Sequence, residues 1–409
     1  MRRTPGYTRA ALIYACGFGA MALFFPYINQ HLLRLGYSGT QIGSLAAIAS
    51  LTGLVLAPVL SSLADRTGQH RRILMLVVAV EGLALLGLGL TASVVIVGLM
   101  VITVRTVLGL DISLRDRMAL HWLKEHGSDA YGSLRIWGSL GYAVLVFAGG
   151  AVAGSIGAMP LFVVGAALMA VIIVLARVFA ERVPTQEQAS FVVTSGTGWR
   201  AWLHRPPSLS AVMWVILLTS ILAAVGQSAM MDWAYTFIEF DLGGGKSGVG
   251  LFSGLAALAE MPLMLFADRL MRQRGAAGVW VSGMVLLGLV IMVLSLVQTA
   301  WQAVPLALLM GTAQGFRLVA PIVYVGQVSQ PHRLALNLTL VTVVTGLSST
   351  VASPLLGYLY DTVGIRPVLQ VGAGMLLLAG VVLVVGGYVL RRRTAPHVHD
   401  LSRSDPAQS

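Results

Sequence analysis

Apolar residues dominate twelve stretches of the chain, at 9–31, 41–63, 73–91, 94–118, 135–156, 159–179, 209–232, 248–267, 277–297, 303–326, 336–358 and 367–390. A helix crossing the hydrocarbon layer needs about 20 predominantly apolar residues. Each stretch reaches that range within a few residues, so the pattern predicts an all-α membrane protein with twelve transmembrane helices. Most of the connections between them are short. The longest, 180–208, holds Glu181, Arg182, Pro184, Gln186, Glu187, Gln188, Arg200, Arg205, Pro206 and Pro207. It divides the spans into two sets of six. The expected organisation is an N-terminal six-helix bundle over 1–180, a cytoplasmic linker over 181–208, a C-terminal six-helix bundle over 209–390 and a cytoplasmic tail over 391–409.

Composition strengthens this picture. Of 409 residues 57% are hydrophobic and 11% charged, against about 25% charged in a soluble domain. The net charge of +11 raises nucleic acid as a partner, but its distribution argues against one. Basic residues sit in short clusters between apolar runs, as the positive-inside rule requires. The loops on one side hold only Arg34, Lys246 and Arg366. The other side holds Arg2, Arg3, Arg9, Arg71, Arg72, Arg182, Arg272, Arg274 and the 391–393 run. Both termini are therefore expected inside, in a bacterial inner membrane. The first apolar run is too long for a signal-peptide core and no cleavage motif follows it, so it is expected to stay as a span. Cys16 stands alone, and no Cys/His group has zinc spacing. The pair His397 and His399 lies in a polar tail. No metal or cofactor is expected.

The two sets of spans echo each other. The second span runs into Ala64-Asp65-Arg66-Thr67-Gly68, and the eighth into Ala267-Asp268-Arg269. A parallel duplication about an axis along the membrane normal is a transporter architecture. An acidic residue at such a helix end can pair with loop arginines or face a helix N-terminus. Asp65, Arg66, Gly68, Asp268 and Arg269 are thus candidates for a conformational latch.

Ionisable side chains inside spans are costly and usually face a partner or a wet cavity. Glu81, Arg105, Asp111, Glu260 and Arg317 are of this kind, with Asp232 near the end of the seventh span. Glu260 sits among Leu258, Ala259, Met261, Pro262 and Leu263, surroundings that suit a proton-exchanging carboxyl. Pro262 frees the Leu258 carbonyl a turn earlier. Arg317 with Pro321 repeats the construction, and a guanidinium can grip a carboxylate through two hydrogen bonds. An ion pair between Glu260 and Arg317 is the structural alternative. Arg105 and Asp116, eleven residues apart, share one helical face; Asp111 pairs with Arg115 at i,i+4. Gln227 is a further polar candidate in a span. Tyr14, Phe18, Phe24, Tyr27 and Trp137 are candidates to stack on a ring or, alternatively, to pack helices. Gly245-Lys246-Ser247 imitates part of a phosphate-binding loop, but Phe240 occupies the required leading glycine position. ATP is therefore not expected as a partner.

The segment from Ser61 through Asp65, Arg66 and Gly68 to Arg71 and Arg72 resembles the helix 2–3 signature of the major facilitator superfamily, with Ser61 in place of its leading glycine. Other segments look like one branch of it, which holds phenylpropionate permease-like, nucleoside:proton symporter and lactose permease-like proteins. They are Pro26-Tyr27…Leu33…Gly36-Tyr37-Ser38…Gln41-Ile42-Gly43, Tyr131-Gly132-Ser133-Leu134-Arg135-Ile136-Trp137-Gly138-Ser139-Leu140-Gly141-Tyr142, Gly250…Ala259-Glu260-Met261-Pro262 and Gly357-Tyr358-Leu359-Tyr360-Asp361…Gly364. The resemblance implies the major facilitator fold, with roles for Arg135 and Glu260 in substrate and proton handling. Asp116 resembles the acidic residue ending helix four, and Arg105 to Gly109 resembles a motif linked to proton coupling. Gln314 stands where lactose permeases have a histidine, and Arg317 where they have a carboxylate. Helix five lacks the Gly-Pro-x-x-Gly-Gly pattern of antiporters, which favours import.

Together these readings give a proton-coupled importer of a small organic solute, working by alternating access. Glu260, Arg105 and Asp116 are the proton-coupling candidates. Arg135, Arg317, Gln314, Gln227 and Tyr27 are the substrate candidates. The rival readings are a drug or metabolite exporter, and a non-transporting receptor or lipid-handling protein on the same fold. No His-Glu-x-x-His, paired aspartates or Gly-x-Ser-x-Gly suggests an enzyme.

Overall fold

The computed structural model describes residues 5–125, 131–178 and 209–394, apart from a few side chains. The linker at 181–208 and the tail beyond residue 394, with His397 and His399, lie outside the described residues. The described chain is a succession of helices. The first, α1 (Pro5–Phe24), passes through a 3-10 turn at Phe25–Tyr27 and continues as Ile28–Arg34. Pro26, which has no N–H to donate, stands in that turn. Then come α2 (Gly39–Thr67), α3 (His70–Leu90), α4 (Val94–Glu125), α5 (Tyr131–Ile156) and α6 (Met159–Val178). The second half opens with α7 (Ala211–Thr236), which ends in a π-helical turn at Phe237–Asp241. Gly245–Leu294 is hydrogen-bonded as one helix but bends at Gly275, whose φ of 73° and ψ of 153° are non-helical. Glycine takes positive φ without the Cβ penalty of other residues. We number the arms α8 (245–274) and α9 (276–294). The last three are α10 (Ala300–Val328), α11 (Leu334–Val363) and α12 (Ile365–Thr394).

Among the described residues, 11 helices are long and apolar enough to cross a membrane. The remaining expected span, at 248–267, corresponds to α8. It includes Met264, Leu265 and Ala267, whose side chains, like that of the following Asp268, lie outside the described ones. Large apolar side chains such as Val55, Leu83, Val95 and Leu355 are well exposed on the outside of the bundle. In lipid this costs nothing, because the hydrocarbon is as apolar as the side chain.

Within the first half α1 packs on α5 and α6, α3 on α4 and α6, and α2 on α4. Within the second, α7 packs on α11 and α12, α8 and α9 on α10, and α9 on α12. The halves meet along two seams, α2 with α11 and α5 with α8. Small residues let these backbones approach. A Cβ on Gly150 of α5 would lie 2.8 Å from the Cα of Gly250 on α8. Association of membrane helices rests on such close van der Waals packing and on interhelical hydrogen bonds, not on a hydrophobic drive.

One face of the bundle carries the loops with Arg66, Arg71, Arg72, Arg272 and Arg274, and is called the basic face below. The opposite face carries Arg34, Glu239, Lys246 and Arg366. Cross-half polar bonds among the described residues cluster toward this opposite face. Arg34 pairs with Glu239 of the π turn at 2.5 Å. Asp361 at the end of α11 accepts from Gly39 N at 2.6 Å, Thr40 N at 2.8 Å and Thr40 Oγ1 at 2.7 Å. A carboxylate thus caps the N-terminus of a helix from the other half, where free N–H groups and the helix dipole favour negative charge. Ser38 and Gln41 form a capping box at the same helix start.

Candidate functional site

A cavity of about 440 Å³ lies between the halves. Its wall takes residues from α1, α4 and α5 of the first half and from α7, α8 and α10 of the second. The volume falls in the range of small-molecule sites, roughly 300–1,000 Å³. Towards the opposite face it is bounded by a hydroxyl chain across the seam. Tyr142 of α5 and Ser253 of α8 are 2.9 Å apart, and Ser253 donates to Tyr235 of α7 at 3.4 Å.

Three charged side chains line the cavity: Arg135 of α5, Glu260 of α8 and Arg317 of α10. Arg135 lies over the ring of Phe18, with its guanidinium carbon 3.9 Å from the centroid. It shares the cavity with Glu260, but no ion pair within 4 Å joins them among the described residues. Arg317 does not pair with Glu260 either. Its Nη1 donates to Gln314 Oε1 at 2.7 Å and, at short range, to Gln227 Oε1. Among the described residues its Nε has no hydrogen-bond partner, and two neutral amides hold a guanidinium that no carboxylate balances. The apolar wall is rich in methionine, with Met21, Met230, Met231 and Met310. Unbranched thioethers of this kind adapt to varied ligand shapes.

Four of the substrate candidates, Arg135, Arg317, Gln314 and Gln227, thus meet in one cavity with Glu260. The remaining candidates lie elsewhere. Tyr27 is fully buried in the first half, and its hydroxyl donates to the Val146 carbonyl at 3.4 Å. Asp116 accepts from Tyr14 Oη at 2.6 Å. Arg105 and Asp116 share a helical face, yet their contacts lie far apart along it. Arg105 reaches across the seam, giving Nη1 to Asp232 Oδ1 at 3.0 Å and Nη2 to Asn29 Oδ1 at 2.7 Å. Asn29 in turn donates to the Asp232 carbonyl at 2.6 Å, and Ser353 donates to Asp232 Oδ2 at 3.4 Å. This knot ties α1, α4, α7 and α11 together beside a second cavity of about 320 Å³. Asp111 and Arg115 form the i,i+4 pair expected of them, fully buried. Of the latch residues, Asp65 lies 2.9 Å from His70 and 2.5 Å from Arg117, all within the first half. Gly68 ends α2 in a left-handed conformation. Arg66 is engaged, Arg269 is exposed, and the Asp268 side chain lies outside the described ones.

A fold of two half-bundles around a membrane-embedded cavity is found in many transporters, and the comparisons narrow it. The model of the MFS_1 like family matches residues 7–371. The chain belongs to this major facilitator family. The uncharacterized transporter YwbF of Bacillus subtilis (strain 168) is 24% identical over 392 residues, covering 94% of this chain and 93% of that one. The maltose permease of Geobacillus stearothermophilus is 26% identical over 266 residues, covering 64% of each. Among solved structures, the nucleoside transporter NupG superposes with a TM-score of 0.79 at 15% identity. That match covers 94% of this chain and 99% of the other. The protein is thus a multi-pass membrane transporter of major facilitator type.

Sequence reasoning missed Asn29, Tyr142, Tyr235, Ser253 and Ser353, and gave Asp232 no role. Tyr142 stood in the quoted helix-five segment and Asp232 was an ionisable residue in a span; both signals were present. The serines and Asn29 carry no signal distinguishing them from the many other small polar residues in the spans.

Proposed function

We propose that this transporter imports a small organic solute across a bacterial inner membrane together with protons, by alternating access between its two halves. The observation that carries the reading is Glu260: a carboxyl on a membrane-embedded cavity wall, with no ion-pair partner within 4 Å among the described residues. A carboxyl so placed is costly unless it is used. With the basic face cytoplasmic, the positive-inside rule sets both termini inside. The polar seams towards the opposite face then close the periplasmic side, and the structure corresponds to the inward-facing half of the cycle. In this reading a proton taken up by Glu260 and a solute held by Arg135, Arg317, Gln227 and Gln314 together license the change of state.

The test is uptake into proteoliposomes of defined orientation. A pH gradient, acid outside, should drive accumulation of a transported solute, and dissipating it should abolish accumulation. Glu260→Gln resembles the protonated acid in shape; it should keep solute binding and exchange but lose accumulation against a gradient. Full accumulation by this variant overturns Glu260 as the proton carrier, and accumulation driven only by the reverse gradient overturns import.

A further inference from the structure

The charges around the cavity do not balance, and the imbalance says something about the cargo. Arg135 and Arg317 are both positive, and among the described residues of the wall ionised Glu260 supplies the only negative charge. Three described carboxylates of the neighbouring helices are engaged elsewhere. Asp116 is held by Tyr14, Asp111 by Arg115 and Asp232 by Arg105. The titratable groups that share the cavity with Glu260 are Arg135 and Tyr142 from α5, Tyr235 from α7 and Arg317 from α10. Among the described residues, Arg317 has two neutral amides and an Nε without a partner. An uncompensated guanidinium inside a membrane protein is costly, and a carboxylate or similar oxyanion meets it with two parallel hydrogen bonds. The methionine wall beside it suits the apolar body of such an anion.

We infer that the cargo is an organic monoanion with an apolar body, held by Arg317, and that it moves with one proton so that transport is electroneutral. The inference rests on the transport reading above. Its second half follows from counting charge on the cavity wall. Empty, with Glu260 ionised, the wall carries one net positive charge. Loaded with a monoanion, and with Glu260 protonated, it again carries one. The two forms that must change face are therefore electrically alike, and neither crossing moves net charge relative to the other. A neutral solute taken with a proton instead raises the loaded form by one charge and makes uptake sensitive to membrane potential.

Benzenesulfonate serves as probe: a ring monoanion, charged at every accessible pH and unable to cross a bilayer unaided. Benzenesulfonamide is its neutral counterpart near pH 7. Benzenesulfonate should raise the thermal midpoint of the purified protein saturably, and the sulfonamide should not. Arg317→Gln should remove the stabilisation, while Arg317→Lys should retain it with about tenfold weaker half-saturation, because lysine keeps the charge and loses the fork. Equal stabilisation by both compounds, or by neither, overturns the anion assignment even if the variants fold poorly, since that comparison uses the unmodified protein. In proteoliposomes, a pH gradient at zero potential should drive benzenesulfonate uptake, and a valinomycin-set potential at zero pH gradient should not. Uptake driven by potential alone overturns electroneutrality. Anion-selective binding with no uptake under either gradient instead overturns the transport reading and leaves the anion site standing.

Discussion

The charges at the closed seam and those in the cavity are built differently. At the seam each is answered. Arg105 meets Asp232 and Asn29, Arg34 meets Glu239, and Asp361 meets the amides that open α2. In the cavity, Arg317 rests on amides, and among the described residues Glu260 has no ion-pair partner within 4 Å. Both sets sit in a medium where an unpaired charge is penalised. The seam uses its charges to hold two halves in one arrangement, and the cavity keeps its own available. Pairing, more than burial, separates the residues that shape this protein from those offered to a ligand.

The contrast can be broken most directly at Arg105 and Asp232. Removing one partner of a buried pair leaves an uncompensated charge, a loss of about 3–5 kcal/mol. Asp232→Asn and Arg105→Gln should each lower the thermal midpoint markedly, and the double variant should recover most of it. Singles as stable as the parent would show that this pair holds nothing. The second test is steric. Gly150→Leu places a side chain where Gly250 now sits, so it should prevent the seam from closing. Transport should fall by an order of magnitude or more, while reactivity of a cysteine placed at Ser253 toward an impermeant thiol reagent added at the face opposite the basic one should rise. A smaller effect is expected at Asp361. Asp361→Asn keeps an acceptor but loses the charge facing the helix dipole, a change of roughly 0.3–1 kcal/mol, visible as a modest fall in the thermal midpoint. The smallest belongs to Arg34, which is 51% exposed beside Glu239. The Glu239 side chain is only 1% exposed, but Lys246 stays 3.9 Å from it after the change, so Arg34→Ala should lower the thermal midpoint less than the changes above. A large effect there would blur the distinction between the two faces of the molecule.

Much of the architecture is legible in the chain. Long apolar runs locate the spans because each must satisfy its own backbone in lipid. The cavity is partly legible, since Glu260, Arg317, Gln227 and Gln314 are polar residues that lipid does not tolerate. Their partnership is not. Periodicity puts a residue on a face of its own helix and leaves open which helix that face meets. Arg105 and Asp232, 127 residues apart, give no sequence sign of touching. For the same reason the chain alone leaves a pair between Glu260 and Arg317 open, and only the packing of α7 beside α10 gives Arg317 to Gln227 and Gln314 instead.

The docking of α2 on Asp361 also bears on how fast such a machine can run. Ser38 and Gln41 keep their reciprocal bonds within one half, so parting this contact frees the amides of Gly39 and Thr40 and the Thr40 hydroxyl. These groups are at the edge of the bundle, where water can take them as the carboxylate leaves. The contact therefore resembles a detent more than a bolt: it fixes where the halves come to rest while adding little to the barrier between rests.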